Sequence, residues 1–287
     1  MLTILFDGIA YGMLLFVLAV GLAVTMGLMN FINLAHGAFA MAGGYITVLL
    51  MQRLDVPFLV CLPIAFAGAA LLGAVLERTL YRPLYNRPHL DQVLFSIGLV
   101  FMAVSAVDYY VGSTQQIMQL PEWLKGRSDF GPLGMGHYRL FIIAVCAVLT
   151  VVLQYILTRT RFGSRLRASV DDQRVAAGLG INVNIVFLST FAFGSGLAGL
   201  GGALGAEVLG LNPTFPLAFM IYFLIVVAVG GTASITGPLL AALLLGIADV
   251  AGKYYIPKMG GFIVYTLMIV ILLWRPNGLF VRQGGKA

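Results

Sequence analysis

The sequence predicts an all-α polytopic membrane protein with about nine transmembrane helices, eight to ten, in a single domain over residues 1–287. Three observations carry this. The chain is 60% hydrophobic and only 10% charged, with a mean hydropathy of +0.99, and no soluble fold of this length hides so much apolar surface. Its apolar runs are about twenty residues long, the length of a helix that crosses a bilayer, and lack the ten-residue alternation of a β-barrel. Thirty-five glycines suit helices packed closely in lipid, where small residues let backbones approach.

The first run, residues 4–29, lacks a basic leader and is too long for a signal-peptide core, so it reads as an uncleaved span. The turn Asn30-Phe31-Ile32-Asn33 carries no charge, and an uncharged polar turn at a membrane end fits burial within protein. The second run is 34–51, with Asn33 placed to N-cap its helix. The third, 57–80, exits through Arg78, Arg82 and Arg87, and the fourth covers 93–111. Residues 112–138 form a linker long enough for a small external element, with Trp123 at the interface. The fifth run, 140–158, delivers the chain to a polar segment, 159–184, rich in arginine. The sixth is 186–206, and the shorter seventh, eighth and ninth are 217–229, 238–250 and 261–274. The glycine-rich turn 230–237 is either a plain connection or re-entrant, which leaves the count open by about one.

If odd-numbered spans run inward, the inside segments hold Arg78, Arg82 and Arg87, the five arginines between 159 and 174, and Arg275, Arg282 and Lys286. Outside remain Arg53, Lys125, Arg127, Arg139, Lys253 and Lys258. Cationic loops are retained in the cytoplasm, so the N-terminus is expected outside and the C-terminus inside. The net charge of +6 is accounted for by these loops and implies no nucleic-acid partner.

Within the polar segment, residues 164–179 are expected to form one helix, with Ser164 as N-cap and Gly178 or Gly180 at its end. Leu166, Val170 and Ala177 would share a face, and Arg167, Asp171 and Arg174 are spaced to pair along another. Such an amphipathic helix across the mouth of a bundle is a handle for a soluble partner, where the bland alternative is a charged cytosolic loop.

Asp7, Asp108, Glu207 and Asp249 all fall near outer helix ends. They read as solvated interface carboxylates or, as a set, as an outer vestibule. None sits mid-span, where a proton- or sodium-coupled transporter usually keeps an ionisable site. His36 is the single histidine in the apolar blocks and reads first as a donor to a nearby carbonyl. Small residues recur at four-residue spacing at Ala40 and Gly44 and again at Gly194, Ala198, Gly202 and Ala206. That texture means close helix packing, with a glycine-lined pore wall as the alternative. Cys61 and Cys146 lie in apolar runs and support neither a disulfide nor a metal site. No lysine is followed by serine or threonine, so the chain holds no P-loop. If ATP drives this protein, another chain hydrolyses it.

Four stretches carry a family resemblance. Residues 29–37, ending Asn33-Leu34-Ala35-His36-Gly37, resemble an Asn-(Leu/Phe)-Ala-His-Gly segment. Residues 163–180, with Ala176-Ala177-x-x-Gly180-Ile181, resemble a permease coupling motif. Gly230-Gly231-Thr232-Ala233-Ser234-Ile235-Thr236-Gly237 resembles a Gly-Gly-x-Gly-Ser-(Ile/Leu)-x-Gly turn, and Arg275-Pro276-Asn277-Gly278-Leu279-Phe280 an Arg-Pro-x-Gly-Leu-Phe end. In this order and over nearly the whole chain, they resemble the LivH-type permease subunit of branched-chain amino acid ABC importers. Three departures bear on substrate, and those at 213–219 fall on the outer approach to the seventh span, where residues 213–216 lack the usual glycine. Ala233 stands where glycine is common, and Leu217-Ala218-Phe219 replaces Lys-Ala-Phe.

The resemblance implies an ABC importer permease bundle with a cytoplasmic coupling helix, a transport subunit and not an enzyme. Its partners would be a second, LivM-like permease, two cytosolic ABC ATPase subunits and a periplasmic solute-binding protein that delivers the amino acid. ATP and Mg would bind the ATPases, leaving this chain without a cofactor. Coupling would fall to Arg167, Asp171, Asp172, Arg174, Ala176, Ala177, Gly180 and Ile181. The path would draw on Asn30, Asn33, His36, Gly37, Gly44, Gly202 and Glu207. Related importers carry urea, amides or small aromatic acids. From other classes, a stand-alone secondary transporter or channel and a membrane-embedded enzyme or scaffold remain as alternatives.

Overall fold

The computed structural model describes residues 1–29, 31–85, 87–130, 133–231, 234–275 and 278–279. Among them the chain forms α1 (Leu2–Met29), α2 (His36–Leu54), α3 (Phe58–Leu76), α4 (His89–Val111) and α5 (His137–Arg159). A short pair follows, α6 (Arg161–Asp171) and α7 (Gln173–Gly178). Then come α8 (Val183–Leu209), α9 (Phe215–Gly230), α10 (Thr236–Tyr255) and α11 (Gly260–Trp274). Each of the nine apolar runs centres on one of these helices. Six of the helices are long and apolar enough to cross a membrane: α1, α3 with its continuation to Leu84, α4, α5, α8 and α10. The apolar helices α9 and α11 are shorter.

The bundle is built around α1 and α8. Of the most apolar stretch of α1, 78% is buried, against 17% in α4 and 17% in α5. An apolar helix buried all round occupies the centre, whereas α4 and α5 turn Leu94, Phe101, Met102, Val148 and Val151 outward, as suits lipid. Hydrophobicity alone does not join helices in lipid, so close backbone contact must. The packing of α8 supplies it. Gly194 faces Gly21 of α1, Gly199 faces Gly43 of α2 and Ala65 of α3, and Gly202 lies on the Ala40 backbone. A Cβ at Gly202 would overlap the Ala40 carbonyl oxygen. On the other side of α1, Gly12 lies against Ala242 and Leu243 of α10.

The turn after α1 is buried, with Phe31, Asn33 and Ala35 each at most 1% exposed. A buried turn must find partners for its backbone, and side chains of α4 provide them. The Ile32 N–H donates to Gln92 Oε1 (3.3 Å) and the Leu34 N–H to Ser96 Oγ (3.2 Å). Asn33 does not N-cap α2, which begins three residues later behind Ala35. Its Oδ1 instead accepts the Ala35 N–H (3.1 Å), a local turn that stops the helix starting earlier, and the Tyr81 hydroxyl (3.0 Å). Tyr81 closes a π-helical turn, Glu77–Tyr81, that continues α3.

Residues 112–136 hold a 3₁₀ turn at Glu122–Leu124 and two antiparallel strands, β1 (Arg127–Phe130) and β2 (Leu133–Gly136). Trp123 is 55% exposed and packs edge-on against Phe141 at the start of α5. The Gln116 N–H donates to the Leu211 carbonyl (2.7 Å) and so ties this segment to the connection between α8 and α9.

Candidate functional site

The polar segment is two helices and not one, because Asp172 caps the second. Its Oδ1 accepts the N–H groups of Arg174 (2.8 Å) and Val175 (3.0 Å) while its own backbone is extended. Thr160, and not Ser164, caps α6 by accepting the Gly163 N–H (3.4 Å). The end of α7 is a Schellman motif. The Ile181 N–H donates to the Ala176 carbonyl and the Gly180 N–H to the Ala177 carbonyl, both at 3.0 Å, with Gly180 at φ +81°. The Ala-Ala-x-x-Gly-Ile spacing is therefore the spacing of a helix stop, with glycine at the left-handed position.

Gly163, Leu166 and Ser169 seat α6 on the bundle, and Ala176 seats α7. Ala177 is exposed, so it does not share the buried face with Leu166 as the helical spacing led us to expect. The break at Asp172 rotates it away. For the same reason, no ion pair among the described residues joins Arg167, Asp171 and Arg174. The Arg167 guanidinium turns back to the Leu157 carbonyl of α5. Asp171, Asp172, Arg174, Val175, Ala177, Leu179 and Gly180 form one outward face, with Val175 59% and Leu179 75% exposed.

Three of the four stretches that carry the family resemblance meet at this end of the bundle. Ser234, Ile235 and Thr236 share a cavity of about 220 Å³ with Gly163, Leu166 and Arg167 of α6 and with residues of α1 and α5. The Leu279 N–H donates to the Val229 carbonyl (2.8 Å), and Gly278 lies against Gly231. The terminal Gly-Leu thus docks on the turn after α9. Ala233, Pro276, Asn277, Phe280, Arg282 and Lys286 lie outside the described residues.

The residues assigned to a path are mostly packed. The His36 ring Nε2 bonds the Leu18 carbonyl (2.8 Å), and Gly37 sits against Pro216 at the start of α9. Gly44 meets Leu211 and the Gly202 carbonyl. Asn33 holds the buried turn, and Asn30 lies outside the described residues. Glu207 differs. It lines a cavity of about 460 Å³ with Asp7, Arg127, Tyr138 and Arg139, at the end of α5 away from α6. An adjoining cavity of about 330 Å³ is lined by Asp7, Tyr11, Arg139, Phe219, Asp249 and Lys253, among others. Of the carboxylates that form the expected vestibule, Asp7, Glu207 and Asp249 converge here, while Asp108 is an exposed residue of α4 outside both linings.

Residues 4–272 match the family described as the permease component of the branched-chain amino acid transport system. The chain belongs to that family. This permease is 30% identical to the high-affinity branched-chain amino acid permease protein BraD of Pseudomonas aeruginosa, over 97% of this chain and 95% of that protein. It is 27% identical to the corresponding LivH of Escherichia coli, over 97% and 94%. It is also 27% identical to LivM of Escherichia coli, over 93% of this chain and 68% of that longer protein. No solved structure matches it.

The polar network of the permease at this second mouth was only half visible in its sequence. Asp249 and Lys253 are four apart on one helix and pair at 2.5 Å, a spacing that announces itself. The ion pair of Arg139 with Asp7 joins residues of α5 and α1 that are far apart in the chain, and nothing local marks it.

Proposed function

We propose that this permease forms half of the translocation path of an ATP-driven importer for branched-chain or other hydrophobic amino acids. It would pair with a LivM-like permease, take substrate from a periplasmic solute-binding protein, and dock two cytosolic ATPases that carry the ATP and Mg. The observation that carries this is the outward face of α7. An anchored helix with charges beside uncovered Val175 and Leu179 has the make-up of a docking surface for a soluble protein. It touches α8 and is joined to α6, which packs on α5 and α8, so a rigid-body movement of the ATPases would be transmitted to the bundle. On this reading α6 and α7 lie in the cytoplasm, the N-terminus lies outside, and the Asp7–Asp249 mouth faces the binding protein.

The test is uptake of radiolabelled leucine into proteoliposomes that contain all five kinds of subunit, with ATP on the α7 side. We expect ATP-dependent uptake that is lost when any one is omitted. Ala177→Glu on the exposed face, or Gly180→Trp at the left-handed stop, should cut uptake at least tenfold while the chain still inserts and co-purifies with the second permease. Uptake of urea or an amide in place of leucine would keep the importer and change its substrate. Uptake by this chain alone, indifferent to ATP, would overturn the reading.

A further inference from the structure

The cavity of about 330 Å³ between α1, α5, α9, α10 and the end of α8 contains a feature that the helix packing does not need. Asp249 is 1% exposed. Its Oδ2 accepts the Lys253 ammonium at 2.5 Å, while its Oδ1 is buried without any hydrogen-bond partner. A buried carboxylate oxygen left unpaired is costly, so a ligand that brings it a donor is favoured there. The cavity volume lies at the small end of the range for ligand pockets.

Its lining sets the ligand's chemistry. Two carboxylates, Asp7 and Asp249, face two cations, Arg139 and Lys253, so the charged groups balance. A balanced lining favours a zwitterion over a ligand of net charge. Arg139 bonds Asp7 through Nη1 and is 44% exposed, which leaves guanidinium N–H groups free of that pair for a second carboxylate. Leu14, Ile142, Phe219 and Val250 add an apolar wall.

We propose that this cavity holds a free amino acid in transit, with its α-ammonium on Asp249 Oδ1, its α-carboxylate on Arg139, and its side chain against Leu14 and Phe219. An ammonium has three donors and no acceptor, which is what an unpartnered carboxylate oxygen lacks. The proposal rests on the import function above and adds a substrate-contacting site within this chain.

The test uses the assembled permease–ATPase complex without binding protein, probed with radiolabelled leucine. We expect Asp249→Asn, which keeps the size and removes the charge, to raise the Kd for leucine at least tenfold and to lower uptake in the full system by a similar factor. 3-Methylbutylamine, which has the ammonium but no carboxylate, should compete with leucine on the wild type. 4-Methylpentanoate, which lacks the ammonium, should compete at least tenfold less well. Were Oδ1 simply hydrated, neither the substitution nor the amine would change leucine binding, and that result overturns the site. Should Asp249→Asn fail to assemble, a leucine carrying a side-chain diazirine can be photolysed on the wild type. Adducts at Tyr11, Leu14 or Phe219 support the site, and adducts confined to other positions overturn it. A wild-type assembly that imports leucine while Asp249→Asn imports it equally defeats this site alone. A wild-type assembly that moves no amino acid defeats the import reading as well.

Discussion

Asn33 is a single side chain that holds three parts of the permease together. Its Oδ1 takes the Ala35 N–H ahead of α2 and the Tyr81 hydroxyl beyond α3, at a site 1% exposed. Asn33→Ala strands two buried donors, each costing about 1–3 kcal/mol when unpaired. We expect destabilisation of about 2–4 kcal/mol, read as a fall of several degrees in the unfolding temperature of the purified protein in detergent. A midpoint within one degree of wild type would show that water replaces the lost acceptor. The residue type was legible, since asparagine before a helix accepts backbone N–H groups. Its true role was not, because Tyr81 lies 48 positions away and only the folded chain brings it near. His36 was read correctly as a donor to a carbonyl, though nothing local named Leu18 as the partner.

The helices were easier to read than their partners. Four-residue spacing of small side chains marks a face that approaches another backbone, but spacing does not say which backbone. In α8 closely spaced glycines serve different partners, Gly194 meeting α1, Gly199 meeting α2 and α3, and Gly202 meeting α2. Gly202 and Gly98 give a paired prediction. A side chain at Gly202 must displace the Ala40 backbone, whereas a Cβ at Gly98 of α4 meets nothing within 4 Å. Gly202→Val should therefore cost more than about 2 kcal/mol through forced overpacking. Gly98→Ala should be neutral or stabilise by up to about 1 kcal/mol, the helix-propensity difference. Thermal unfolding of the two variants beside the wild type checks this, and equal midpoints would refute the packing account of α8. The break between α6 and α7 was missed for a related reason. The 164–179 pattern continues smoothly across Asp172, and only the cap bonds of that carboxylate divide it.

The two ends of the bundle differ in kind, and that difference fixes how the molecule should sit in its membrane. One end carries α6 and α7 with exposed Arg165 and Arg174; the other carries β1, β2 and the 3₁₀ turn that Lys125 follows. A single helix, α5, joins them, and its 23 residues rise about 34 Å, enough to cross the hydrocarbon core once. Residues 125 and 165 must then lie on opposite sides. On the import reading proposed above, the excess of arginine around α6 is expected to lie in the cytoplasm. Both native cysteines are fully buried, so a membrane-impermeant maleimide will report almost entirely on a thiol introduced at the surface. We expect Lys125→Cys to be labelled in intact cells and Arg165→Cys only after the membrane is permeabilised. The opposite pattern would invert the whole molecule, put the α7 face beyond the reach of cytosolic ATPases, and remove the mechanical basis for ATP-driven import. Labelling of both thiols in intact cells would mean that α5 does not cross the membrane, and the topology built on it would fall.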